Sequence, residues 1–258
     1  MNDIQILSEY FNIAAQQFII VLLRVLAAMA FLPALGEKSV PVRVKIAVAV
    51  CFSVVILPSV SEMIPGTVLV SGHFFQILFS ETLIGLILGI SVRFFVMSLQ
   101  IAGSIAGQST SLAQVFGGSI GEPMPAMGHV LVVAGLALAL LLGLHVKMVI
   151  FLIMSYHVLP LGLFIDAAVW SQWATSQVTM LFSLAFTLAV PFLILTLLYN
   201  VTLGVINRAM PQLMVVFVGA PLITFSGLFL LFLVAPVLLS VWTATLDSFF
   251  TNPFGTQR

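Results

Sequence analysis

The sequence predicts an all-α integral membrane protein with about six long hydrophobic helices. Hydrophobic residues make up 62% of the 258 residues. Charged residues make up 6%, against about 25% in an ordinary soluble protein. Such a chain has too few polar groups to cover a surface in water. Its apolar residues also form runs that reach the length of about 20 residues that a helix needs to cross a bilayer.

Six apolar runs are the predicted spans, and the bounds are Phe11–Leu32, Val42–Val60, Phe74–Leu99, Met127–Met154, Val178–Val205 and Leu213–Trp242. The last four exceed the minimum length, so we expect them to tilt or bend. Pro191, Pro221 and Pro236 are natural kink points. No long repeat is visible, and we expect one domain over 1–258.

Basic residues near the span ends predict the orientation, and they are Lys38, Arg43, Lys45, Arg93 and Arg208. By the positive-inside rule, these ends face the cytoplasm and both termini face outward. The N-terminal segment carries Asp3 and Glu9 before any basic residue. We therefore expect no cleaved secretory signal.

Arg24 lies in the middle of the first predicted span. A basic side chain at the centre of a membrane helix costs about 2.5–3.5 kcal/mol on insertion scales. One interpretation is that it reaches toward the interface. The other is that it forms an ion pair with another helix or another subunit.

The third predicted span carries Glu81, Gly85, Gly89 and Arg93 at intervals of four residues. This spacing places them on one ridge of a helix. The two glycines form a GxxxG pair that lets another backbone approach closely. We therefore predict a packing seam whose terminal charges pair with a neighbour such as Arg24. The alternative is coincidence, because glycine is common in membrane helices.

The fourth run contains His145 and Lys147. We expect the span to stop near Lys147 and a short interfacial helix to follow. A proton relay at this pair would need a carboxylate within reach, and the nearby sequence offers none.

The stretch from Gln100 to Gly128 is small and polar, unlike the rest of the chain. Its glycines and prolines disfavour a helix. Irregular backbone at membrane depth must be buried in protein or line a wet path. This stretch is predicted to be either a connecting loop in solvent or the working part of a conduit.

Other chemistry finds little support. The G-x-S-x-G pattern at Gly117–Gly121 lacks the strand-to-helix setting of a nucleophile elbow. The four His have no zinc-helix spacing, and Cys51 is the single cysteine. The formal net charge is zero, so nothing suggests that the protein binds nucleic acid. We expect no enzyme, cofactor or metal. A small-solute secondary carrier is an alternative, because carriers build their sites from broken helices.

Three separated segments carry a family resemblance. They are Arg24 followed by PALGEKSVPVRVK, then GLHVKMVIFLIMSYHVLPLG, and then NRAMPQLMVVFVGAP. In this order they resemble the FliR family, the export gate subunit of flagellar type III secretion, with SctT as its virulence counterpart.

The resemblance implies a non-enzymatic, pore-forming subunit of the type III protein export gate, in the bacterial inner membrane and the flagellar basal body. It implies bent helical hairpins in a helical assembly with FliP and FliQ, with FlhB docking alongside. Unfolded export substrates would pass through this assembly.

The resemblance also places the loop between the third and fourth predicted spans inside the channel as a plug. The plug residues are Gln108, Leu112, Val115, Phe116, Gly117, Gly118 and Gly121. Glycines allow such a loop to rearrange, and its apolar residues can block water and ions. We assign helix packing to Arg24, Glu81, Gly85, Gly89 and Arg93. We assign the bend of the last hairpin to Pro211, Gln212, Gly219 and Pro221.

Overall fold

The computed structural model describes residues 2–37, 40–64, 74–110, 126–162, 166–210 and 215–255. Within these ranges the chain forms seven α-helices and no strand. They are α1 (Asn2–Met29), α2 (Val42–Val60), α3 (Phe74–Ser109), α4 (Ala126–Leu141), α5 (Leu144–Val158), α6 (Ala167–Ala209) and α7 (Val215–Thr251). A short 3-10 turn, Ser61–Met63, follows α2. The predicted all-α class is confirmed.

Five of the helices in the described ranges are long and apolar enough to cross a membrane, and the broken pair α4 and α5 makes up to six. This agrees with the prediction of about six. Helix α2 has the predicted bounds. Helices α6 and α7 extend beyond their apolar runs. The backbone hydrogen bonds of a helix continue through polar side chains as long as no residue breaks the ladder.

The prediction that irregular backbone starts at Gln100 is wrong. Helix α3 continues to Ser109. Gly103, which argued against a helix here, lies against the backbone of Gly128 in α4. Close packing between two membrane helices offsets the low helix propensity of glycine. The predicted loop is therefore shorter, and residues 111–125 lie outside the described ranges.

The fourth predicted span is not one continuous helix. It divides into α4 and α5, and Gly143 precedes α5 with φ 77° and ψ 34°. This left-handed conformation cannot continue a right-handed helix. A break was expected near Lys147, but a backbone conformation available to glycine places it earlier.

The described chain divides into two compact units. Unit 1 comprises residues 1–93, 142–175 and 248–258, and unit 2 comprises 94–141 and 176–247. In unit 1, the ring of Phe151 packs against Phe249, Phe250 and Phe254 at centroid distances of 5.5 to 5.8 Å. In unit 2, buried Trp242 donates its indole N–H to the Phe95 carbonyl at 2.8 Å. One domain over 1–258 stays a prediction.

Candidate functional site

A fully buried ion pair lies in unit 1. Arg24 of α1 and Glu81 of α3 both have zero exposed side-chain surface. Arg24 Nε donates to Glu81 Oε2 at 2.6 Å, and Arg24 Nη2 donates to Glu81 Oε1 at 2.9 Å. The fork of the guanidinium thus matches the two carboxylate oxygens, the geometry in which such a pair is strongest.

Two further donors of Arg24 reach the C-terminal end of α5. Arg24 Nη1 donates to Ser155 Oγ at 3.0 Å, and Nη2 also donates to the Leu159 carbonyl at 3.1 Å. The guanidinium carbon lies 3.7 Å from the centroid of the Tyr156 ring, which adds a cation–π contact. Arg24, Glu81, Ser155, Tyr156 and Leu159 form the arginine cluster. The cluster joins α1, α3 and α5 through one charged group.

The predicted glycine seam lies directly beside the arginine cluster. A Cβ atom added to Gly85 would overlap the Arg24 carbonyl oxygen and lie 2.8 Å from Ala27 Cβ. A Cβ added to Gly89 would overlap the Ala28 carbonyl oxygen in the same way. Helices α1 and α3 therefore approach so closely that only glycine fits, as in GxxxG packing.

The other end of the seam carries a second ion pair. Arg93 Nη1 contacts Glu37 Oε1, and these side chains are 25% and 33% exposed. Arg24 and Ala28 of α1 contact Glu81 and Gly89 of α3, and Glu37, which follows α1, contacts Arg93. The partners in α3 therefore follow the same order along the chain. The two helices therefore run in parallel. Arg93 pairs with Glu37, whereas the buried Arg24 pairs with Glu81.

The predicted plug residues are only partly within the described ranges. Gln108 is exposed near the end of α3. The other six, Leu112, Val115, Phe116, Gly117, Gly118 and Gly121, lie outside these ranges. The two flanks of this segment meet in unit 2. The Thr110 hydroxyl lies 3.6 Å from Met127 Sδ, and Gly103 contacts Gly128.

Two of the four predicted bend residues lie within the described ranges. Pro211 and Gln212 lie outside the described ranges. Gly219 and Pro221 lie inside α7. A Cβ at Gly219 would overlap the Tyr199 hydroxyl oxygen and lie 3.2 Å from Leu203 Cδ2. Gly219 therefore marks a close contact between α6 and α7, and its role in a bend stays a prediction.

Several residues that hold unit 1 together have no role predicted from the sequence. Ser155 and Leu159 belong to a segment that carried the family resemblance, but their contact with Arg24 was not foreseen. Gln17 was also missed. Its side-chain amide donates to the carbonyls of Ser61 and Ile64, at 3.1 and 2.8 Å, and so supports the chain after α2. A polar residue within an apolar run is the one signal that could have identified Ser155 and Gln17. Leu159 takes part through its backbone carbonyl, which its side chain does not indicate.

The charged groups of the arginine cluster are bonded to one another within the chain. The buried carboxylate of Glu81 has both oxygens engaged by the guanidinium. Among the described residues, no three His, Cys, Asp or Glu side chains come together as metal ligands would. The cluster can hold helices in a fixed register, because the alternative is an unpaired charge in an apolar interior.

Comparison with known proteins identifies the family. The sequence profile of the family described as "Bacterial export proteins, family 1" matches residues 15–249. The chain belongs to this family. The matched region contains all five residues of the arginine cluster and both glycines of the seam.

Named relatives support the same assignment. The chain is similar to the flagellar biosynthetic protein FliR of Caulobacter vibrioides, with 29% identity over 226 residues that cover 87% of this chain and 90% of the relative. The Escherichia coli K12 protein of that name is 30% identical over 224 residues, covering 84% and 83%. The Bacillus subtilis protein is 25% identical over 214 residues, covering 80% of each. The resemblance to the FliR family is confirmed.

Proposed function

We propose that this chain is a subunit of the flagellar protein export apparatus in the bacterial inner membrane. Family membership over residues 15–249 carries the proposal. Relatives named for flagellar biosynthesis support the flagellar assignment. In this proposal the chain has no catalytic role. It assembles with FliP and FliQ around a channel for unfolded export substrates, FlhB docks alongside, and the complex is part of the basal body.

Exposed apolar side chains support an assembly within the membrane. On α7, Phe225 is 69% exposed and Phe232 is 77% exposed. On α6, Leu197 and Val201 are 65% and 59% exposed. Such surfaces require hydrocarbon or another protein as their surroundings. Neighbouring subunits and lipid together would cover them.

In this proposal, the arginine cluster and the glycine seam hold α1, α3 and α5 in one register inside the assembly. The charge of Arg24 is neutralised within its own chain by Glu81. A subunit built in this way presents apolar faces to its neighbours without exposing a buried charge. Packing of this kind tolerates little displacement, because closely packed interiors resist small changes in shape.

The proposed plug is the segment after α3, including Leu112 to Gly121. Its two flanks lie side by side, with Thr110 beside Met127 and Gly103 beside Gly128. Because its flanks adjoin, the proposed displacement of the plug would not require the helices that carry it to separate. Its glycines supply backbone freedom, and Phe116 with its apolar neighbours supplies a barrier to water and ions.

Deleting Gly117–Gly121 tests the plug. We expect the ion conductance of the assembled complex in planar bilayers to rise, because a shortened loop cannot fill the channel. The matched control keeps the length of the loop and replaces Gly117, Gly118, Ile120 and Gly121 with serine, so that all five positions are serine. Its conductance should lie between those of the wild type and the deletion.

Co-purification with FliP and FliQ from detergent extract tests the assembly in the same samples. We expect both partners to accompany the wild type and the deletion. A deletion complex of normal composition and unchanged conductance would contradict the plug. Absence of both partners from the wild-type preparation, together with solute uptake by the purified chain in vesicles, would favour a secondary carrier instead.

A further inference from the structure

The C-terminal end of α3 is held by hydroxyl groups from two other helices of unit 2. The last carbonyl groups of a helix have no partner within that helix. Thr224 Oγ1 of α7 donates to the Thr110 carbonyl at 3.0 Å. Thr196 Oγ1 of α6 lies 3.1 Å from the Ser109 carbonyl and 2.9 Å from the Phe192 carbonyl of its own helix, and it shares its proton between them.

Close packing surrounds the same point. Thr110 is 1% exposed, and its hydroxyl donates to the Ala106 carbonyl at 2.8 Å. A Cβ added to Gly227 of α7 would lie 2.5 Å from Thr110 Cγ2. Helix α7 therefore contains a glycine where Thr110 inserts. The end of α3 has a defined seat formed by α6 and α7.

We propose that Thr196 and Thr224 are positioning residues that fix the end of α3, and with it the point from which residues 111–125 leave unit 2. Their hydroxyls reach the Ser109 and Thr110 carbonyls, for which the described residues supply no other donor. An unpaired backbone group is costly in apolar surroundings. The last turn of α3 stays in its seat as long as both donors are in reach. Movement of α6 would release the Ser109 carbonyl, and movement of α7 would release the Thr110 carbonyl.

The effect on the channel rests on the proposed plug, whereas the effect on α3 does not. If residues 111–125 block the channel, then their departure point determines how well they fill it. A displaced α3 end would loosen the block even with an unchanged plug sequence. The effect on the position of α3 and the effect on the channel can be measured separately in one set of variants.

The variants separate the hydroxyl from the bulk of the side chain. Thr196→Val and Thr224→Val keep the shape of threonine and remove the donor, whereas Thr196→Ser and Thr224→Ser keep the donor. The matched controls are Thr187→Val and Thr202→Val in α6. These two exposed threonines bond the carbonyls of Ser183 and Leu198 in their own helix. The loss of such a bond leaves α3 untouched.

The direct readout is maleimide labelling of Ser109→Cys in the complex with FliP and FliQ, in a Cys51→Ser background because Cys51 is an exposed thiol. We expect each single Val variant at 196 or 224 to raise the labelling rate roughly two- to tenfold, the factor that corresponds to one hydrogen bond of ordinary net strength. The Ser variants and the two controls should label at the starting rate.

Equal labelling in the Val variants and the controls would overturn the proposal. Equal increases in the Val and Ser variants would also overturn it, because packing instead of the hydroxyl would then hold α3. Resting conductance is measured on the same complexes without the cysteine substitutions. Faster labelling together with higher conductance supports both the positioning role and the plug. Faster labelling with unchanged conductance supports the positioning role and counts against the plug.

Discussion

Replacing Glu81 with glutamine should destabilise the protein far more than removing the other ion pair of the seam. Glu81→Gln keeps the shape of the side chain but leaves Arg24 as an uncompensated charge with no exposed surface. Breaking a buried pair by removing one partner costs about 3–5 kcal/mol. We expect a loss near the lower value, about 3 kcal/mol, because the amide oxygen can still accept one bond from the guanidinium.

The matched control is Arg93→Gln, which removes the partner of Glu37. Both side chains of that pair are partly exposed, and exposed pairs contribute about 0–1 kcal/mol. The measurement is the midpoint of thermal unfolding of the detergent-extracted complex, followed by the loss of the intact species in size-exclusion chromatography. Equal shifts for the two substitutions would refute the view that burial makes the Arg24 pair different.

Two double variants test the geometry of the cluster more sharply. The swap Arg24→Glu with Glu81→Arg keeps opposite charges but places a carboxylate opposite the Leu159 carbonyl, where Arg24 now donates. We expect no recovery of stability from this swap. Arg24→Met with Glu81→Leu leaves no unpaired charge, so we expect a smaller loss than for either single change. Full recovery by the swap would show that the bonds to α5 contribute nothing.

The remaining predictions concern glycines and use the same unfolding measurement. Gly85→Ala should cost about 1–3 kcal/mol through overpacking against Arg24 and Ala27. Its control, Gly204→Ala in α6, meets no atom within 4 Å and should be neutral or stabilise by up to about 1 kcal/mol. An equal loss at both sites would contradict the close approach. Gly143→Ala should cost about 1–2 kcal/mol because of its left-handed backbone, and Gly143→Asn should cost less. An equal loss of stability for Gly143→Asn and Gly143→Ala would contradict this explanation.

The existence of the helices could be predicted from the sequence, whereas several of their ends could not. Each of the six apolar runs coincides with a helix or, for the fourth run, with the pair α4 and α5. Helix α2 has the predicted bounds. The predicted end of α3 at Leu99 was wrong because hydropathy describes side chains, while a helix continues with its backbone bonds to Ser109. The predicted break near Lys147 was misplaced for the same reason, since it was inferred from the charge of a side chain. The observed break is at Gly143, where the backbone conformation changes.

The candidate site shows a similar division. The cost of burying Arg24 and the four-residue spacing of Glu81, Gly85, Gly89 and Arg93 were visible in the sequence. Nothing in the sequence linked Arg24 to Ser155, which is 131 residues away along the chain. Likewise, Thr196 and Thr224 looked like ordinary hydroxyl residues within membrane helices, although they bond the end of α3.

By itself, the sequence determined that this protein is helical, membrane-embedded and related to a family of export proteins, because composition and short motifs are local properties. It also marked the positions where a charge or a glycine needed an explanation. Only the tertiary structure decided which groups meet: Glu81 with Arg24, Gly89 with Ala28, and Thr224 with the last turn of α3. These pairings depend on how distant helices pack. A buried charge or carbonyl requires a partner, but several distant positions in the sequence could supply one.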